Sequence, residues 1–147
     1  MVLFSILRNL ARALGAVLLI GGEEVLLEEI KSVDALEQVL EEHGESGALL
    51  FKHSTACPIS LGAHREVQRY WVSVTDAEQP QGDSAHPPLY LVKVIESRPV
   101  SNDIADRFGV QHQSPQMLFI RDGQSVWDAS HGAIIAETIK KAVAEHM

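Results

Sequence analysis

The 147-residue chain predicts an α/β domain, a mixed central sheet flanked by helices, preceded by an N-terminal helical extension. Three observations point there. Short apolar runs at 48–51 and 89–96 read as strands and alternate with segments whose apolar residues recur at helical spacing. The first run leads into Cys57-Pro58, and proline suits the first helical turn, where its missing N–H would have no partner anyway. The last third holds two strands around Arg121-Asp122-Gly123-Gln124, an antiparallel hairpin signal, so parallel and antiparallel pairing meet in one sheet.

Residues 1–31 form the extension and 32–147 the domain. Leu3, Leu7, Leu10, Leu14, Val17 and Leu18 share one side of a helix whose other side holds Arg8, Asn9 and Arg12. The uncharged stretch that follows is too short to span a bilayer, which takes about 20 apolar residues. Residues 1–22 are expected to dock on the domain or a partner, with peripheral membrane contact and a cleaved signal as the alternatives. A second, acidic helical pattern follows with Leu26, Leu27 and Ile30 inward.

Ser32 or Asp34 then caps a helix with Leu36, Val39 and Leu40 as its apolar positions, stopped by Gly44. The helix from Pro58 is expected to reach Trp71, with Leu61, Val67, Tyr70 and Trp71 inward. Residues 75–88 hold three prolines and a glycine and read as a loop. Ser101 is expected to cap a short helix over 102–108 that Gly109 ends. The hairpin strands are placed at 117–120 and 125–127, and Ile134, Ile135, Ile139 and Val143 mark a closing helix.

Composition excludes several classes of function. A lone cysteine rules out an internal disulfide and any zinc site built on several thiolates. The seven histidines show no ligand spacing, so no metal site is expected. A net charge of −8 argues against a nucleic-acid partner. That acidity is concentrated at 23–45, where nine acids face only Lys31, and reads as a solvated helix face.

The chemistry converges on Cys57. A thiol at the start of a helix meets free backbone N–H groups and the positive end of the helix dipole, which favour the reactive thiolate. Lys52, His53 and His64 can add positive potential. Cys57-Pro58-Ile59-Ser60 is a C-x-x-C pattern with serine in the second place, so it can attack a disulfide but cannot resolve the mixed disulfide alone. Thr55 and Ser60 either tune the sulfur through their hydroxyls or cap the helix. Ser114-Pro115 stands just before the hairpin. The order of strand, cysteine at a helix start, strand, helix, proline, hairpin and helix matches thioredoxin-like folds. There a cis-proline in this place packs beside the cysteine and leaves the preceding backbone free to pair with substrate.

Leu50-Phe51-Lys52-His53-Ser54-Thr55-Ala56-Cys57-Pro58-Ile59-Ser60, the run from Val94 to Asn102, Ser114-Pro115-Gln116 and Trp127-Asp128-Ala129-Ser130-His131 together resemble the monothiol bacilliredoxins. The resemblance covers about residues 33–145. It implies a thioredoxin-like fold, a cytoplasmic setting, and removal of the small thiol bacillithiol from bacillithiolated client proteins. Carried over residue by residue, it puts the reactive cysteine at Cys57, the serine replacing a resolving cysteine at Ser60, and the family's proline at Pro115. No bound cofactor is implied; bacillithiol is the thiol co-substrate. Lys52, Arg98 and Arg121 are candidates for its malate carboxylates, and His53 and His131 for flanking the site. Trp71 and Trp127 are expected to be packing residues. Two other functions compete: a non-catalytic redox-sensing or adaptor module, and a glutaredoxin-like iron-sulfur carrier. The latter lacks support from the Pro58-Ile59 that follows the cysteine.

Overall fold

The computed structural model of the protein describes residues 27–75 and 86–147. The amphipathic reading of 1–22 and most of the 75–88 loop lie outside them. Ser32 caps the first helix of the described residues, α1 (Val33–Glu42), its Oγ accepting the Ala35 N–H at 3.1 Å. It is followed by β2 (Ala48–His53), α2 (Pro58–Thr75), β3 (Leu89–Lys93), α3 (Arg98–Phe108), β4 (Gln116–Arg121), β5 (Gln124–Ser130), a 3-10 turn (His131–Ala133) and α4 (Ala136–His146). Ahead of α1 a short strand, β1 (Glu28–Glu29), adds a parallel edge to β3.

The sheet order is β1-β3-β2-β4-β5, parallel on the β1-β3-β2 side and antiparallel across β2-β4-β5. Side chains alternate across the sheet, and each face builds its own core. Ala48, Leu50, Val92, Leu118 and Ile120 pack with Leu36 and Val39 of α1 and with Val100 and Ile104 of α3. Leu49, Phe51, Leu89, Met117 and Phe119 pack with Ala63, Val67 and Tyr70 of α2 and with Ile139 of α4. Trp71 and Trp127 pack against this second core. Gly47 turns the chain into β2 at φ 85°, where a Cβ would stand 2.5 Å from Phe119.

Several expectations are corrected. Leu27 to Ile30 do not continue a helix: Glu28 and Glu29 pair with Tyr90 and Leu91, and Ile30 enters the core at 2% exposure. The helical spacing of Leu27 and Ile30 serves two apolar anchors on either side of a two-residue strand. Leu61 is exposed, because Ala63, Val67 and Tyr70 define the inner face of α2. β3 stops at Lys93, and a turn leaves Ile95 exposed. Ser101 is not a cap: α3 starts at Arg98 with Pro99 in its first turn and Ser97 as N-cap, and Ser101 is buried inside it. Ile135 is exposed just before α4, although Ile134 is buried.

Candidate functional site

The turn that carries Cys57 and the Ser114-Pro115 pair belong to one end of the sheet. β2 ends at His53 and feeds the turn that delivers Cys57; β3, parallel to it, ends at Lys93, and the Val94 N–H donates to the His53 carbonyl at 3.0 Å. β4 runs the other way, with Gln116 opposite Lys52, so Pro115 enters the sheet at this same end. The Ser114-Pro115 peptide is cis, Pro115 is buried, and its carbonyl accepts the His131 N–H at 3.1 Å. Ser114 makes no backbone or side-chain hydrogen bond with the described residues, and its Oγ is buried without a partner.

Cys57 is half-buried at the entrance to α2. Its N–H donates to the Ser54 carbonyl at 3.3 Å, and its carbonyl accepts the Leu61 N–H at 3.1 Å as the first bond of the helix. The N–H groups of Ile59 and Ser60, in the first turn, have no intrahelical acceptor, and the positive end of the helix dipole favours a thiolate at the entrance.

Ser60 is fully buried, and its hydroxyl is occupied: it accepts the Ser54 N–H at 2.9 Å and pairs with His53 Nδ1 at 2.7 Å. Neither Ser60 nor Thr55, which is exposed, bonds to the Cys57 sulfur. The serine that replaces a second cysteine therefore ties the turn holding Cys57 to the first turn of α2. His53 stacks on His64 at 4.7 Å and on Phe51 at 5.5 Å. Burial, then the charge of His64, hold its pKa down at about 4, so His53 is neutral at pH 7. This clamp, absent from the sequence reading, joins residues seven apart whose contact depends on the strand-to-helix turn.

On the opposite face of the sheet, Lys52 is fully buried and donates to the Ser101 carbonyl at 3.2 Å. Arg121 is not at the site. It lies at the hairpin, with Nε on the Glu45 carbonyl at 2.8 Å and a second nitrogen on the His146 carbonyl. Strand length decides this, since β4 carries Arg121 to the end of the sheet away from Pro115. Among the described residues, no group of three His, Cys, Asp or Glu side chains is placed to hold a metal, and no helix is long and apolar enough to cross a membrane.

A family model described as "Monothiol bacilliredoxin BrxC" matches residues 28–139. Among solved structures, a proposed oxidoreductase with a thioredoxin fold is 29% identical, over 79% of this chain and 92% of its own, with a TM-score of 0.65. Thioredoxins of Fasciola hepatica (15% identity, 82% of this chain and 100% of that one, TM-score 0.60) and Schistosoma mansoni (14%, 82% and 95%, TM-score 0.60) share the fold.

Proposed function

Because the chain belongs to the monothiol bacilliredoxin family, we propose that it is a thiol-disulfide oxidoreductase that removes bacillithiol from protein mixed disulfides, with Cys57 as its nucleophile. The observation that supports this best is the placement of one accessible thiol at a helix N-terminus, at the same sheet end as a cis-proline preceded by the unpaired backbone of Ser114.

The Cys57 thiolate attacks the bacillithiol sulfur of the mixed disulfide. The old S–S bond breaks, its electron pair leaves on the client sulfur, and that thiolate takes a proton from solvent. Cys57 is left disulfide-bonded to bacillithiol. Ser60 has no thiol to displace it, so a second bacillithiol thiolate attacks, forming bacillithiol disulfide and restoring the Cys57 thiolate. The net change oxidises one free bacillithiol, which pairs in the disulfide with the bacillithiol already oxidised on the client, and reduces the client cysteine to its thiol. The rate of each step follows the thiolate fraction of the attacker and the pKa of the leaving thiol.

In this reading the free N–H and C=O of Ser114 pair with the client backbone in strand fashion, and the Ser60 clamp keeps Cys57 at the helix entrance. Clients, bacillithiol and a cytoplasmic location belong to the same proposal. Incubation of a bacillithiolated client with the reduced protein and excess bacillithiol tests it: the client is expected to lose the bacillithiol mass, and Cys57→Ser to abolish that loss. Full release by Cys57→Ser refutes the reading.

A further inference from the structure

Besides the cysteine, the same end of the sheet holds three cationic or cation-forming groups that the reaction above does not use. Lys52 Nζ, fully buried, donates to the Ser101 carbonyl at 3.2 Å; Ser101 Oγ meets His112 Nδ1 at 3.3 Å; and Arg98 stands one helical turn before Ser101 on the same face of α3. Among the described residues none of the three has a carboxylate partner, although Lys93, at the end of β3, does. Gln116, opposite Lys52, holds the overlying loop by donating to the Gln111 carbonyl at 3.0 Å. That loop runs from His112 directly into Ser114-Pro115.

An ammonium buried with one carbonyl acceptor and no counter-ion is costly. Its field reaches His112, which with Arg98 is exposed to solvent. We propose that Arg98 and His112, backed by Lys52, form an anion subsite that takes a carboxylate of the small thiol exchanging at Cys57. The assignment rests on the function proposed above for the thiol itself. The charges already act on one another: burial lowers the pKa of His112 first, and the Lys52 and Arg98 charges lower it further. An arriving carboxylate reverses that repulsion, and the guanidinium can meet it with two parallel N–H donors.

Malate alone, added to the reduced full-length protein, probes the subsite through the His112 ring resonance in NMR, identified by its disappearance in His112→Gln. A saturable shift is expected, and its loss in Arg98→Ala. The second arm compares exchange rates with bacillithiol disulfide and with neutral 2-hydroxyethyl disulfide. In Arg98→Ala the ratio of the two is expected to fall about tenfold at low salt and less at high salt. Malate binding without any exchange with bacillithiol would keep the subsite and refute the substrate. A His112 resonance unmoved by malate, an unchanged ratio, or slowing confined to protein-borne disulfides overturns the proposal.

Discussion

Replacing Lys52 by methionine, a neutral side chain of similar length, is expected to stabilise the protein. Burial lowers the Lys52 pKa from 10.5 to about 8. At about 1.4 kcal/mol for each unit, the fold bears up to about 3 kcal/mol for holding this ammonium below pH 8. The sign follows from proton binding. Below about 8 both folded and unfolded chains are protonated, and the penalty is constant. Between about 8 and 10.5 the folded chain has released a proton that the unfolded chain keeps, so stability rises with pH; above 10.5 the penalty is gone. Lys52→Met removes it at every pH. Methionine also gives up the bond to the Ser101 carbonyl, worth about 1 kcal/mol, which leaves a net gain of about 2 kcal/mol at pH 7. Urea unfolding of both proteins from pH 7 to 10.5 measures this, and the advantage of the variant should shrink towards the upper end. Tyr70, whose pKa burial raises to about 12, pulls the other way in alkali but cancels in the difference. A variant less stable at pH 7, or an advantage independent of pH, would refute the reasoning. With the anion subsite, the same variant should gain stability while binding malate more weakly.

Three further outcomes are expected. Ser60→Ala leaves the Ser54 N–H and His53 Nδ1 without their partner, which should cost about 2–4 kcal/mol in urea unfolding, while bacillithiol release is largely retained because Cys57 remains. His53, with its folded pKa at about 4 against 6.5 unfolded, contributes stability that is full above pH 6.5 and lost as pH falls to about 4, up to about 3 kcal/mol. Acid titration followed by circular dichroism should show His53→Phe losing less over that window than the parent; an equal loss rejects the assignment. Gly47→Ala puts a Cβ 2.5 Å from Phe119 at a left-handed φ of 85°, and should lower stability by more than about 2 kcal/mol in thermal unfolding.

Much of this architecture was legible because its signals are local. Ser32 before an amphipathic run, Pro58 after a buried strand, Asp122-Gly123 between two strands and Gly109 after α3 each act through their own backbone preferences, and φ values of 52°, 73° and 64° at Asp122, Gly123 and Gly109 show those preferences in use. β1 was missed because two residues have no periodicity; only the free edge of β3 makes Glu28 and Glu29 a strand. Ser101 was misjudged because Ser97 and Pro99, four and two residues earlier, open the helix first.

The candidate site divides in the same way. The sequence alone determined that one thiol opens a helix, that no second thiol can resolve its mixed disulfide, and that a proline precedes the hairpin, because residue type and neighbours settle those facts. Tertiary structure alone decided which charges belong to that thiol. Antiparallel pairing of β4 with β2 sends Arg121 to the far end of the sheet and brings Gln116 beside Lys52. The turn after β2 folds Ser60 onto His53, and the packing of α3 sets Ser101 between Lys52 and His112. Such contacts join residues distant along the chain, and strand register rather than local preference sets them.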